Sequence, residues 1–157
     1  MKKSNRYESV IIDEFKLLKD QYGISLVEIK SEDWGVKCKY IGEVVGVSVL
    51  FEFREAYINV TINRLQNGRI IPDVYPLIKG AKVNNINLDF FVMHIDKKRM
   101  VKPLYDSTSD YYGKENAFEI MTARTAKNLY DLCGDILNGD FDLFEEVSPE
   151  VINFFSK

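Results

Sequence analysis

The sequence predicts an α+β domain in which an antiparallel β-meander carries helices on one face. Apolar residues recur at helical spacing up to Gly23, alternate strictly from Val27 to Asn63, and return to helical spacing in the last third of the chain. Strands and helices fall in blocks, without the βαβ alternation of a parallel sheet. With 157 residues, 46% hydrophobic and 29% charged, the chain is predicted to form one domain spanning 1–157.

The first element is a helix in NRYESVIIDEFKLLKDQYG. Asn5 and Glu8 have capping-box spacing, Ile11, Phe15, Leu18 and Tyr22 form its stripe, and Gly23 suits its C-terminal cap. The apolar parity then switches three times. It is odd in Val27 and Ile29, and even in Trp34, Val36, Cys38 and Tyr40. It is odd again in Val45, Val47, Val49, Phe51 and Phe53, then even in Ala56, Ile58, Val60 and Ile62. An even-numbered hairpin loop pairs odd with even residues on one face, so turns are predicted at SEDW, IGEV and FREA. Tight turns there place Val27 opposite Cys38, Cys38 opposite Val47 and Phe51 opposite Ile58, in a four-stranded meander with one apolar face. Arg54-Glu55, which interrupts an otherwise strand-like run, becomes the tip of a four-residue loop around a type I turn. The outer face collects Lys37, Lys39, Ser48, Leu50, Tyr57, Asn59 and Thr61.

QNGRIIPDVYPLIKGAK, with its glycines and prolines, predicts an irregular connection. Leu88, Phe91, Val92 and Ile95 predict a short helix capped by Asn87, and VKPLYDSTSDYYGKEN an exposed loop. A long helix follows from about Glu115 to Asn138, striped by Phe118, Met121, Thr125, Leu129, Leu132 and Ile136 and closed by Gly139. Gly134 inside it implies close packing. Ser148 as N-cap and Pro149 at the first helical position predict a final short helix.

The chemistry of the chain points away from catalysis. Its single histidine, His94, lies beside Phe91, Val92 and Ile95 and reads as a structural or surface imidazole. Cys38 and Cys133 are distant from each other, without metal-ligand spacing, and read as buried free thiols. No phosphate-cradling glycine motif is present. DSTSDYYGKEN offers Asp106 and Asp110, but Tyr111 stands where a calcium loop needs glycine. Neither metal nor cofactor is expected. No apolar stretch approaches the roughly 18 to 20 residues that cross a bilayer, and the opening MKKSNRYESVIIDEF has no signal-type apolar core, so a cytoplasmic protein without membrane contact is expected.

Charge is laid out unevenly around a net of −3. Arg64 to Lys102 is predominantly basic, whereas Asn128 to Ser156 has no Lys or Arg against Asp131, Asp135, Asp140, Asp142, Glu145, Glu146 and Glu150. A surface of one sign steers an oppositely charged partner. The basic residues from Lys97 to Lys102, with nearby tyrosines, have some of the composition of a nucleic-acid surface, but the sequence pI of about 5.3 argues against direct nucleic-acid binding.

FREAYINVTINRLQNG, KPLY and LYDLCGDILNGDF together resemble small bacterial α+β proteins linked to polymorphic toxin and contact-dependent inhibition systems as cognate immunity proteins. The resemblance covers most of the chain from Phe53 onward and carries no catalytic residues. It implies a non-catalytic domain that binds and neutralises a protein toxin, as a monomer or homodimer. A basic toxin, such as a nuclease, would meet an acidic patch of Asp131, Asp135, Asp140, Asp142, Glu145 and Glu146; the outer sheet face at Tyr57, Asn59 and Thr61 is the second candidate surface. The alternative is a regulatory domain that binds a small ligand or another protein.

Overall fold

A computed structural model describes residues 3–156, with side chains from Arg6 onward. The domain is α+β. Two helices, α1 (Lys3–Glu14) and α2 (Leu17–Tyr22), precede a five-stranded antiparallel sheet in which strands follow one another in chain order. These are β1 (Ser25–Glu32), β2 (Gly35–Ile41), β3 (Val45–Glu52), β4 (Tyr57–Arg64) and β5 (Asn85–Asn87). Then come α3 (Leu88–Ile95), α4 (Ala117–Leu137) and α5 (Asp142–Phe155).

The expected opening helix is broken at Phe15-Lys16, and α1 already runs from Lys3, so the backbone of Asn5 lies inside the helix, its side chain being outside the described residues. Glu8 instead accepts a hydrogen bond from the Ser31 hydroxyl on β1. The rest of the stripe holds: Ile11, Phe15 and Leu18 are fully buried, and Gly23 closes α2 in a left-handed conformation, φ 69°.

The parity argument assigns β2, β3 and β4 to their faces correctly. Val36, Cys38, Tyr40, Val47, Val49, Phe51, Ile58, Val60 and Ile62 all face the core. Phe51 pairs with Ile58 as expected, and Arg54-Glu55 is an exposed tip, with the Ala56 N–H closing the loop on the Glu52 carbonyl at 2.9 Å. The other two registers move by two residues, to Ile29–Cys38 and Cys38–Val49. The cause is turn placement. Asp33-Trp34 alone forms the first turn, because Gly35 belongs to β2, where a Cβ would lie 2.1 Å from the Phe51 carbonyl oxygen. Trp34 is therefore half-exposed in a turn. A β-bulge between Leu26 and Glu28 puts Val27 in solvent and gives its inward place to Leu26.

The meander gains a fifth strand, so the expected count of four is corrected. The three residues of β5 pair with Thr61, Ile62 and Asn63, and Asn87 then caps α3 by accepting the Asp89 N–H at 2.9 Å. The connection from 66 to 84 is irregular but anchored: the Asp73 carboxylate accepts the Asn84 and Asn85 N–H groups at 3.0 Å. Its Ile70, Pro72 and Tyr75 roof part of the outer sheet face, leaving a groove of about 340 Å³ above Ser48, Asn59 and Thr61.

Helices cover the inner face. Tyr7 of α1 and Phe118 of α4 meet Phe51 with ring centroids 5.0 and 4.6 Å away, and Phe144 of α5 meets Phe91 of α3 at 6.1 Å. Gly134 is closely packed as expected, since a Cβ there would lie 3.3 Å from the Tyr22 hydroxyl. The last helix starts earlier than expected. The Asp140 carboxylate accepts the Asp142 N–H at 3.0 Å, and Phe144, Val147 and Val151 supply a buried stripe. Ser148-Pro149 is consequently inside α5, and the Ser148 hydroxyl donates to the Phe144 carbonyl at 2.8 Å.

Candidate functional site

The acidic stretch that lacks bases in sequence meets them in space. Asp131 on α4 is held by Arg99 at 2.7 Å and by Lys127 at 2.9 Å, which lower its pKa, Lys127 more than Arg99. Glu145 pairs with Arg64, whose guanidinium also donates to the Val83 carbonyl and lies 4.9 Å from the Phe144 ring centre. The sequence expectation of an uncompensated patch is corrected at these two positions. Asp135, Asp140, Asp142 and Glu146 remain exposed, with the Asp140 carboxylate engaged by the Asp142 N–H in the turn before α5.

On α5, Asp142, Glu146, Glu150 and Phe154 are spaced by four and all exposed, so they form one slowly winding ridge. Its acidic part begins at the helix N-terminus, where the backbone dipole favours carboxylates. His94 on α3 reaches the same ridge, with Nδ1 3.0 Å from Glu150 and Nε2 3.7 Å from Glu146. These carboxylates raise its pKa, Glu150 foremost. The ridge ends in an exposed aromatic group. Phe154, 65% exposed, packs edge-on to Phe90 at 5.5 Å and to Phe155 at 4.8 Å, and Tyr75 packs on Phe155 at 5.1 Å. Val74 and Ile78, in the connection that carries Tyr75, are also exposed, at 84% and 72%. The Ser-Pro pair concealed this continuity in the sequence by suggesting a helix start at Ser148.

The second candidate surface is divided. Tyr57 is half-buried and donates its hydroxyl to the Asp89 carboxylate, 3.0 Å from each oxygen, so it belongs to the junction of β4 with α3. Burial raises both the Tyr57 and the Asp89 pKa. Asn59 accepts from the Asn87 amide at 3.5 Å, and Thr61 lies opposite Ser48 and Asn87 beneath the 70–75 segment. Of the three candidates, Asn59 and Thr61 line the remaining groove and Tyr57 does not.

Burial pushes the Cys38 and Cys133 thiols up to about 12, so both are protonated packing groups at neutral pH. Among the described residues, no cluster of three or more His, Cys, Asp or Glu could hold a metal ion, and no helix is long and apolar enough to cross a membrane. No family model matches the chain, and neither a curated protein nor a solved structure is similar to it.

Proposed function

We propose that this chain is a non-catalytic, cytoplasmic protein-binding domain of the immunity type, which neutralises a basic protein toxin by covering it. The supporting observation is the α5 ridge, where exposed carboxylates at Asp142, Glu146 and Glu150 run into the exposed ring of Phe154. Charge of one sign speeds and orients encounter, while aromatic anchors supply most of the binding energy at protein interfaces. The Tyr75, Phe154 and Phe155 cluster is an anchor of that kind, and Asp135 and Asp142 stand at the acidic end. Asp131 and Glu145, tied to bases of their own domain, serve as supports of this surface.

The reading is tested by capture and rescue together. The tagged chain retains a basic protein at equal stoichiometry, and its expression relieves the growth arrest which that protein causes. A captured protein whose toxicity is unaffected by the chain contradicts neutralisation.

A further inference from the structure

The segment from Val101 to Asn116, expected as an exposed loop, folds back on itself around Tyr111. Tyr111 is only 2% exposed, and its hydroxyl accepts the Lys102 N–H at 3.0 Å while donating to the Lys102 carbonyl. Closure brings Lys98, Arg99 and Lys102 beside Arg124 and Lys127 of α4, around a pocket of about 430 Å³. Thr108, Ser109, Asp110 and the buried Asn128 complete its wall.

The cations are held in place by a layer of partners. Lys102 Nζ donates to Thr108 Oγ1 at 2.8 Å. Arg124 grips Asp110 through two bonds of 2.6 and 2.8 Å and lies over the Tyr111 ring at 5.3 Å. Arg99 and Lys127 converge on Asp131, and the Asn128 amide donates to the Arg99 carbonyl at 2.8 Å. Asp110 and Asp131 pair with these cations, and Asp106, which accepts from Thr108, acts on Lys102, so three carboxylates stand against five cations, an excess of positive charge gathered into one concavity. The Ser109 hydroxyl is buried there with no hydrogen-bond partner among the described residues, whereas buried hydroxyls in folded proteins are nearly always paired.

We infer that this pocket binds a small diphosphate-bearing anion. Arg99 and Arg124 carry N–H donors beyond those spent on Asp131 and Asp110, the lysines add point charges, and Ser109 supplies a hydroxyl to a further oxygen. The volume is within the ordinary range of small-molecule sites. Charge confined to one hollow suits a compact ligand better than a polynucleotide, which requires a stripe of bases along the surface. None of the residues that line this site belongs to the α5 ridge, although Arg99 and Lys127 also hold Asp131.

Calorimetric titration of the whole chain at low salt, with inorganic pyrophosphate and with ADP, tests the inference. Dissociation constants of about 1 mM or tighter are expected. Lys102→Gln and Lys127→Gln, both at exposed positions, should each weaken binding about tenfold by removing a charge-assisted bond. Lys79→Gln, outside the pocket, should leave it unchanged. Equal affinity for pyrophosphate and ADP supports a site for the diphosphate alone; tighter ADP supports a nucleotide. The inference is overturned if pyrophosphate gives no saturable heat, or if Lys79→Gln weakens binding as much as the pocket variants. It is also overturned if single-stranded RNA binds more tightly than either ligand and shares their sensitivity to Lys102→Gln.

Discussion

His94 Nδ1 lies 3.0 Å from Glu150 Oε1, so the only histidine of the chain joins α3 to the acidic ridge of α5. Glu150 foremost, with Glu146, raises its pKa above the ordinary 6.5, against desolvation, which works the other way. A histidine whose folded pKa exceeds its unfolded value contributes stability that is fully present below the unfolded pKa and is lost as pH rises through the folded one. Unfolding midpoints in urea should therefore fall modestly as pH rises from about 6 to 8, and His94→Gln should remove that slope. The same deprotonation leaves the ridge more negative, so affinity for a basic partner should increase across this window. An identical urea slope in wild type and variant would show that the imidazole is not coupled to the glutamates.

Tyr40 illustrates a different balance. Its ring fills the core at 3% exposure, but its hydroxyl is buried without a hydrogen-bond partner among the described residues. Removing an unsatisfied buried hydroxyl while keeping the ring relieves a desolvation cost, so Tyr40→Phe should stabilise the domain by about 1 kcal/mol. The urea midpoint should rise at constant slope. A lower midpoint would mean that the hydroxyl has a partner in solution.

Tyr57 should respond in the opposite direction. Its hydroxyl is the donor held by the half-buried Asp89 carboxylate, and Tyr57→Phe leaves that carboxylate without it. A loss of about 1–3 kcal/mol is expected. Burial already raises the Asp89 pKa, while the bond from Tyr57 opposes the rise, so the variant should move the Asp89 titration further upward by NMR. A raised folded pKa for a carboxyl favours the folded state at low pH, so the variant's deficit should shrink on acidification through the Asp89 titration. A deficit that does not change with pH would separate Tyr57 from Asp89.

Gly35 has no room for a side chain. An added methyl would meet the Phe51 carbonyl oxygen at 2.1 Å, a backbone atom that cannot move without opening the β2–β3 pairing. Gly35→Ala should cost more than about 3 kcal/mol, beyond the usual range for single substitutions, and circular dichroism should register loss of the native sheet. Retention of wild-type stability would contradict the close approach of these strands.

The faces of the sheet were legible because side chains alternate whatever the register. Phe51–Ile58 was legible as well, since FREA alone fits a loop between its flanking strands. The remaining registers were not, because moving a turn by one residue shifts the pairing by two and keeps every residue on its own face. Gly35 as a strand residue, and Val27 as a bulge, depend on contacts with neighbouring strands that no local pattern records. Ser148-Pro149 looked like a helix start because both residues favour one, but Phe144, Val147 and Val151 bury a stripe that carries α5 through them. The three-and-four spacing of these apolar residues, together with Asp140 just after Gly139, was the available clue. Charge was the least legible property. Asp131 and Arg99 are 32 positions apart, and Glu145 and Arg64 are 81 apart, so a sequence count of bases near an acid says little about its neighbours in the fold.

The measurement that tests the central claim most directly is the affinity of the captured partner for a triple variant, Asp135→Lys, Asp142→Lys and Glu146→Lys, by calorimetry. Asp140 is spared because its carboxylate holds the Asp142 N–H in the turn before α5, and Asp131 and Glu145 because each is tied to its own base. Charge reversal at these exposed positions should weaken binding at least about a hundredfold through repulsion of a basic surface, with the native circular dichroism retained. An unchanged affinity in a folded variant would contradict recognition through the α5 ridge.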